Sequence, residues 1–351
     1  MNLSVFAAAP SPPDLMNSDG PDVDPAVRVW FMNVGNADCT IVLDESTKNA
    51  LIVDCPSSHV ANVMDLLAQR QGTIDTCIVT HWDVDHYAGV ARLAITSPVS
   101  RVMYNHDTLF VSDDSPPFAV RGALKEFLNI PNASMVLAPV TAGSRGRFGR
   151  VSWKVLAPNH QELTMAYVSR RRNVASAVVE VSAPGMRILI GGDAVGSTWV
   201  RVLGEYSVEA DVLRWPHHGA DMEGDPSGAI RDSVMAAVAP SCVVISAGSG
   251  NTYGHPSHDV VKRLARSSRV MCTQVTAGCF GYKLRLERNS HEARDLVAGL
   301  ASTYCADTVY VECFESSYRM SPSVSEHAAR VATWSHPMCM ASATDQGPDS
   351  G

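Results

Sequence analysis

A strand-length apolar run ends in a dense group of side chains that can bind metal. Residues 76–80 (TCIVT) have the pattern of a buried strand, and His81, Asp83, Asp85 and His86 follow it directly. Open sheets of α/β proteins present their ligand loops at the carboxyl ends of strands, so these side chains are expected at the edge of a site. These residues would lie in an irregular loop that leads into a helix. In such a loop the pair His81 and Asp83 can point in one direction and the pair Asp85 and His86 in another. That pairing suits two metal ions better than one.

Short apolar runs alternate with helix-like windows along most of the chain. Strand-like runs are VRVWFMNV, CTIVL, ALIVDC and DTCIVT in the first half, and ASAVVEVS, MRILIGG, ADVLRW, CVVISA and RVMCTQV in the second. Helices are expected over HVANVMDLLAQR, from about Ser197 to Leu203, near Ile230 and near Val260. The pattern predicts an α/β protein built from two similar halves, each a mixed sheet covered by helices.

The remaining segments lack such a pattern and set the expected boundaries. Residues 1–25 are rich in Pro, Asp and Ser without a hydrophobic period, so a disordered arm should precede a folded domain over 26–288. Within that domain, residues 107–150 contain SDDSPPF and TAGSRGRFGR and are expected to form a loop-rich connection. Residues 289–340 form an extension of uncertain structure, and residues 341–351 resemble a disordered tail.

Charge and hydropathy limit the partners of the chain. Its 351 residues carry 36 acidic and 28 basic side chains, for a net charge of -8, so the whole molecule does not attract phosphate backbones. Contact with a nucleic acid would have to be local. No apolar run approaches the roughly 18 to 20 residues that cross a bilayer, and VFAAAP lacks the basic flank and the length of a signal peptide. A cytoplasmic protein without membrane contact is therefore expected.

The nine cysteines occur singly, with no C-x-x-C pair. Cys39, Cys55, Cys77 and Cys242 lie within apolar strand-like runs, which is typical of reduced thiols in a core. Disulfide bonds and zinc–thiolate sites are therefore not expected.

The loop THWDVDHYAGV resembles the signature loop of the metallo-β-lactamase fold, H-x-H-x-D-H, with Asp83 in place of the second histidine. This H-x-D-x-D-H form resembles the hydrolase domain of the ComEC family of DNA-uptake proteins and its free-standing relatives. FMNVGNADCTIVL resembles the family's D-V-G-Q-G-D strand pair, with Asn36 and Ala37 replacing Gln and Gly. Further segments resemble family motifs in the same order along about 27–285: LIVDC, NVASAVVEV (N-x-x-S), ILIGGDA (G-D), DVLRWPHHGA (P-H-H-G) and VVISAGSGNTYGHPSHDVV (N-x-Y-G-H-P). The resemblance implies a four-layer αββα sandwich of α/β class, the metallo-β-lactamase fold.

The resemblance also implies a centre of two divalent ions, zinc or manganese. The implied ligands are His81, Asp83 and Asp193 in a first site, and Asp85, His86, Asp193 and His218 in a second. Asp193 would bridge both ions, and a hydroxide held between them would attack the substrate. Asp85, His217 and His255 would take part in catalysis. His217 would orient or contact the substrate, and His255 would bind metal or donate a proton to the leaving group.

Two of these residues have a plainer interpretation. Asp193 could cap the helix that follows it, and His255 could be an ordinary turn histidine. Adjacent residues at a strand end, in contrast, cannot both face a core, which favours a site role within the pair His217 and His218. Three carboxylates around two divalent ions cancel three of four positive charges, and their hard oxygens admit manganese beside zinc.

Polar and basic residues near the predicted centre are candidates for substrate contacts. Asn173 and Ser176 stand where many relatives of the fold carry another metal-binding histidine, which leaves room for water or substrate. The run Arg170, Arg171 and Arg172 directly precedes them and could form the local basic lip that a phosphodiester requires. Other basic residues that could extend this lip are Arg145, Arg147, Arg150 and Lys154. A solvated charge run on a loop is the alternative.

Three functions are consistent with these features. The first is a binuclear metallohydrolase that cuts phosphodiesters in DNA, RNA or a smaller nucleotide. The second is a hydrolase of another ester or amide, since one fold hosts many chemistries and an acidic surface mildly favours small substrates. The third is a metal-bound module without catalysis, which would bind a protein partner through the N-terminal arm, the segment 107–150 or the C-terminal extension.

Overall fold

A computed structural model describes residues 24–105, 135–249, 251, 253–276, 279, 305–332 and 338–339. The strands of these residues are β1 (Val27–Phe31), β2 (Thr40–Asp44), β3 (Asn49–Val53), β4 (Thr73–Ile78), β5 (Val99–Tyr104), β6 (Val136–Pro139), β7 (Arg145–Phe148), β8 (Val151–Ala157), β9 (Val178–Ala183), β10 (Met186–Ile190), β11 (Val212–Arg214), β12 (Cys242–Ile245), β13 (Arg269–Cys272), β14 (Val309–Cys313) and β15 (Tyr318–Ser321). The α-helices are α1 (Val60–Gln69), α2 (Val84–Tyr87), α3 (Val90–Thr96), α4 (His160–Ser169), α5 (Gly196–Glu205), α6 (Ala229–Val238), α7 (His258–Leu264) and α8 (Val324–Val331).

The strands form two mixed sheets. The first has the order β15-β14-β1-β2-β3-β4-β5-β6 and the second the order β13-β12-β11-β10-β9-β8-β7. Strands β3 to β6 are parallel in the first sheet, and β10 to β13 are parallel in the second. The remaining pairs are antiparallel. Each half therefore combines hairpins with a parallel region whose carboxyl ends can hold a site.

Three apolar clusters define four layers. The strand period of two turns Val27, Val29 and Phe31 of β1 towards the second sheet, where they share a buried cluster with its inward-facing residues. Trp30 of the same strand faces the other way and packs with the residues of α1 and α3. On the outer face of the second sheet, α5, α6 and α7 cover a third cluster. The order is helices, sheet, sheet, helices, as the sequence predicted.

The four helices predicted from the sequence occur at the expected positions. The windows at HVANVMDLLAQR, Ser197 to Leu203, Ile230 and Val260 correspond to α1, α5, α6 and α7. The expectation of a loop-rich connection over residues 107–150 is wrong for its last part, because 136–139 and 145–148 are strands β6 and β7. Residues 107–134 of that connection, and the predicted arm and tail over 1–23 and 341–351, lie outside the described residues.

Two strands from the C-terminal part of the chain belong to the first sheet. Val309 pairs with Phe31 and Val311 with Val29, so β14 lies directly beside β1. Both valines are fully buried in the cluster between the sheets. Residues 309–321, which the sequence left unassigned, therefore contribute to the central core. Among the described residues, no helix combines the length and the hydropathy that spanning a bilayer requires.

We expect Val311→Ala to lower the free energy of unfolding by about 2 kcal/mol, because it removes two buried methyl groups and leaves a cavity. Val324 in α8 is a matched control, since 49% of its surface is exposed and Val311 has none. Chemical denaturation of Val311→Ala and Val324→Ala measures both values. Equal, small losses would contradict the placement of β14 in the core.

Candidate metal centre

The loop after β4 is built close against the end of β3. The backbone N–H and the hydroxyl of Thr80 donate to the two carboxylate oxygens of Asp54, at 2.8 and 2.7 Å. Gly89, beyond the loop, donates its N–H to the carbonyl of Cys55 at 2.8 Å. A Cβ at position 89 would lie 2.6 Å from the carbonyl oxygen of Pro56, so only glycine fits this approach. The loop is thereby held so that its polar side chains face the gap between the sheets.

His81, Asp83 and Asp193 meet in one half of the centre. Nε2 of His81 lies 3.3 Å from Oδ2 of Asp83 and 3.6 Å from Oδ2 of Asp193. Asp193 follows β10, and its backbone N–H donates to the hydroxyl of Ser176 at 2.8 Å. A Cβ at Gly192 would lie 2.6 Å from that hydroxyl, which explains the glycine before the aspartate. The predicted first ligand set is thus brought together.

Asp85, His86 and His218 form the other half. Nε2 of His86 lies 3.3 Å from Oδ1 of Asp193, and Nε2 of His218 lies 3.2 Å from Oδ2 of Asp85. The two oxygens of Asp193 therefore face different histidines, His81 on one side and His86 on the other. This is the arrangement that a bridging carboxylate needs. We refer to the six side chains His81, Asp83, Asp85, His86, Asp193 and His218 as the carboxylate–histidine centre.

Several buried atoms of this centre have no hydrogen-bond partner. Among the described residues, these include Nε2 of His81, Nε2 of His86 and Oδ1 of Asp193, all aimed at one another. A buried polar atom without a partner is costly, so natural structures seldom leave several together. The donor atoms of His81, His86 and Asp193 lie within 4.8 Å of one another, and so do those of Asp85, His86 and His218. Imidazole nitrogens and carboxylate oxygens at this spacing fit zinc or manganese.

The pKa values of these groups follow from their mutual charges. Burial would raise the pKa of Asp193, but the positive charges of His86 and His81 outweigh it and hold the pKa well below its ordinary value. Burial would lower the pKa of His86, but Asp193 and Asp54 outweigh it and hold the pKa well above its ordinary value. His218 behaves in the same way, because Asp85 and Asp38 raise its pKa against the effect of burial. Without a metal ion, protons take the place of the positive charge.

Two buried aspartates, which the sequence did not single out, lie behind the histidines of the second half. Nδ1 of His86 donates to Oδ2 of Asp54 at 2.8 Å, which leaves Nε2 free to face the centre. Nδ1 of His218 lies 3.5 Å from Asp38. Arg214 holds Asp38 from the other side with two bonds of 3.1 and 2.7 Å. A sequence signal existed for both aspartates, because Asp54 directly follows the apolar run ALIV and Asp38 directly precedes the apolar run CTIVL.

Arg171 and Arg172, from the run of three arginines, form ion pairs. Arg172 donates to Oδ1 of Asp83 at 2.5 Å and to the carbonyl of Trp82 at 3.2 Å. Arg171 pairs with Glu223 at the surface. Arg170 ends α4 in the left-handed conformation, at a φ of 56°. Arg172 therefore borders the centre through Asp83, and its role towards a substrate stays a prediction.

His217 and His255 lie at the exposed side of the centre. Nε2 of His217 is 3.8 Å from Oδ2 of Asp193, and its ring centroid is 5.6 Å from that of His255. His217 and His218 both adopt positive φ, 52° and 53°, a conformation that costs non-glycine residues energy. Burial lowers the pKa of His255, and charges on His217 and His218 lower it further. A neutral imidazole at position 255 suits metal binding or proton acceptance better than proton donation.

The two predicted substrate residues before β9 differ in their surroundings. Ser176 is fully buried, accepts from the N–H of Asp193 and lies 3.4 Å from Nδ1 of His81. It therefore positions two ligands, and the geometry gives no support to its predicted contact with substrate. Asn173 is partly exposed in a short 3-10 turn over Arg172–Ala175, where a substrate contact stays a prediction.

The basic residues of 145–154 lie on the edge hairpin of β7 and β8. The turn of this hairpin packs against the end of β2, where the N–H of Arg150 donates to Asp44 at 2.8 Å. Asp44 is at the opposite end of β2 from Asp38, which contacts the centre. Arg150 itself pairs with Glu315. The expectation that this group extends a basic lip is wrong for Arg150, because it lies at the far end of the sandwich.

Residues 32–219, more than half of the chain, match the model of the metallo-β-lactamase superfamily. The chain therefore belongs to this superfamily, a metal-dependent hydrolase fold, and the two helix-covered sheets are its αββα sandwich. The fold expected from the H-x-D-x-D-H loop is confirmed.

The chain is also similar to individual proteins. Over 210 residues the chain is 26% identical to ComE operon protein 3 of Bacillus subtilis (strain 168), a match that covers 59% of this chain and 24% of that protein. The chain thus spans about a quarter of that relative's length. The solved metallo-β-lactamase fold protein YhfI from Bacillus subtilis is similar with a TM-score of 0.44 and 11% identity, over 71% of this chain and 95% of that one. Zn(2+)-bound PqqB from Methylobacterium extorquens has a TM-score of 0.44 and 9% identity, over 70% and 97%. The likeness to the ComEC family is confirmed.

We expect Asp54→Asn to weaken binding of zinc about 10- to 100-fold, because the carboxylate that fixes the orientation of His86 is lost. Competition with a fluorescent chelator measures the affinity, and Asp65→Asn on the exposed face of α1 is the control. Binding must displace a proton from His86, whose pKa is raised, so affinity should keep rising as the pH increases above the ordinary pKa of histidine, about 6.5. The rise should be shallower in Asp54→Asn, which removes one of the carboxylates that raise this pKa. An unchanged affinity and slope would contradict the role given to Asp54.

Proposed function

We propose that this protein is a binuclear metal-dependent phosphodiesterase. The observation that carries the proposal is the two-sided environment of Asp193, whose oxygens face His81 and His86 separately. His81, Asp83 and Asp193 would hold one ion, and Asp85, His86, Asp193 and His218 the other. When bound, two such ions lower the pKa of a water molecule and stabilise negative charge on a substrate.

The residues around the centre have distinct parts in this proposal. Asp54 keeps the hydrogen of His86 on Nδ1, so that Nε2 of His86 points inwards. Asp38 places a negative charge 3.5 Å from Nδ1 of His218, whose Nε2 faces Asp85. Arg172 neutralises part of the charge of Asp83 and can turn towards an anionic substrate. His217, about a third exposed, would contact the substrate or complete the first site. His255 would accept a proton or bind metal at the mouth.

A phosphodiester of nucleotide type is favoured over other esters by an aromatic surface at the mouth. Tyr253 is 72% exposed, and its ring stacks on that of His255, with 6.0 Å between centroids and 9° between planes. An exposed aromatic face at a site is suited to stacking on a base, which is worth about 1–3 kcal/mol. The ion pairs of Arg171 and Arg172, and the net charge of -8, favour a short substrate over a long polymer. All nine cysteines are free, which supports a reducing compartment such as the cytoplasm as the place of action.

The test combines metal analysis with a substrate panel. We expect two divalent ions per chain and hydrolysis of a bis-aryl phosphodiester and of dinucleotides, with slower cleavage of single-stranded DNA, duplex DNA or RNA. Asp193→Asn should lower kcat/KM about 100-fold or more, since it weakens the link between the two ions. The exposed Asp65→Asn should leave the rate unchanged. Hydrolysis of carboxylic esters or amides without phosphodiesters would overturn the substrate class.

Variants of Tyr253 test whether the site recognises the base of a nucleotide substrate or only its phosphodiester group. Tyr253→Ala should raise KM for dinucleotides about 5- to 100-fold and leave that for methyl aryl phosphate diesters nearly unchanged. Tyr253→Phe keeps the ring and serves as the matched control.

Two bound metal ions with no turnover of any substrate would instead favour a metal-bound protein-interaction module that uses its terminal segments to bind a partner.

A further inference from the structure

A second group of metal-binding side chains lies apart from the carboxylate–histidine centre and shares no residue with it. Sγ of Cys305, Nε2 of His327 and Sγ of Cys339 lie within 4.8 Å of one another. Cys305 and His327 are buried, and Cys339 is half-buried. All three pack in or beside the apolar cluster on the outer face of the second sheet. We refer to these three residues as the thiol cluster.

The fold brings these residues together from distant places. Cys305 stands just before β14, next to Ala306, whose N–H donates to the carbonyl of Cys272 at the end of β13. His327 lies on the buried face of α8, four residues before Val331. Ser323 and Glu326 form a reciprocal capping box, which fixes the residue at which this helix begins. Cys339 lies beyond the end of α8, and its sulfur is within 4.8 Å of the donor atoms of Cys305 and His327.

The spacing of the donor atoms fits a tetrahedral ion. Sγ of Cys305 and Nε2 of His327 are 3.4 Å apart. In a tetrahedral zinc site with Zn–S of about 2.3 Å and Zn–N of about 2.0 Å, the sulfur and nitrogen ligands are about 3.5 Å apart. Two thiols with an imidazole are soft ligands that select zinc, unlike the oxygen-rich set of the other centre. The distance between these two donor atoms therefore fits a zinc ion bound by both of them.

Two further buried thiols, Cys272 and Cys279, belong to the same apolar cluster as Cys305. Their sulfurs do not lie within 4.8 Å of all three donor atoms, so either thiol would have to move closer to supply a fourth ligand. Four of the nine cysteines thus lie in or beside this apolar cluster.

We propose that Cys305, His327 and Cys339 bind a structural zinc ion, with Cys272 or Cys279 as the fourth ligand. The ion would tie the end of α8 and the segment around Cys339 to the edge of the second sheet at β13. Because β14 carries the chain from this edge to β1 of the first sheet, the ion would also secure the C-terminal strands. This site is independent of the proposed hydrolase activity.

X-ray absorption at the zinc edge of the full chain tests the site. In Asp193→Ala, which disables the carboxylate–histidine centre, we expect zinc to remain, with a sulfur shell at about 2.3 Å. Cys305→Ala and Cys339→Ala should each lose this zinc, while Cys313→Ala, a buried free thiol of β14, should keep it. Of Cys272→Ala and Cys279→Ala, one should lower the sulfur count and the other should not.

Wild-type protein gives the decisive result if the variants do not fold. Purified under reducing conditions with zinc, it should show sulfur scattering around zinc and protected thiols in a reactivity assay. Zinc without any sulfur neighbour would overturn the proposal, and so would a Cys305–Cys339 disulfide found by mass spectrometry in the reduced preparation. An unchanged sulfur count in both Cys272→Ala and Cys279→Ala would overturn the assignment of the fourth ligand.

Discussion

The buried carboxylate of Asp193 is the constraint on which the centre depends. It is 4% exposed, stands at the end of β10 and places one oxygen against His81 and the other against His86. Its backbone is fixed by Ser176, which also touches His81. A carboxylate so deeply buried is stable only beside positive charge, which protons on the histidines or metal ions can supply. The strand ends of both sheets are therefore linked by electrostatics as well as by packing.

Charge balance around this carboxylate extends beyond the ligands themselves. Asp38 and Asp54 add two buried negative charges, and Arg214 and Arg172 add two positive ones, so these four residues together leave the net charge of the carboxylate–histidine centre unchanged. Arg214 is fully enclosed and also donates to the carbonyl of Cys39 and the hydroxyls of Thr40 and Ser246. Breaking such a pair by removing one partner costs about 3–5 kcal/mol, because the other charge stays buried. This pair joins the β1–β2 turn of the first sheet to β11 of the second.

Local patterns predicted the parts of the site that depend on strand ends. His81 to His86, Asp193 and the His217–His218 pair each follow a buried strand, and a strand end is visible in a single sequence as an apolar run that stops at polar residues. The helices α1, α5, α6 and α7 were predictable for the same reason, since their apolar period is local. The resemblance to the ComEC motifs supported these predictions further, because the motifs occur in the same order along the chain.

Long-range partners could not be predicted in this way. Arg214 and Asp38 are 176 residues apart, and nothing near either residue indicates the other. The run Arg170 to Arg172 gave a charge pattern, but only the fold shows that Arg172 meets Asp83. Strand β7 was missed because RGRF is polar and mostly exposed at a sheet edge. The thiol cluster was missed because its cysteines occur singly and are joined only when α8 folds against β13.

Anomalous diffraction from crystals grown with zinc or manganese tests the central claim most directly. The account predicts two anomalous peaks on either side of Asp193, one contacting His81 and Asp83, the other contacting Asp85, His86 and His218. A single peak, or peaks that do not contact Asp193, would contradict it.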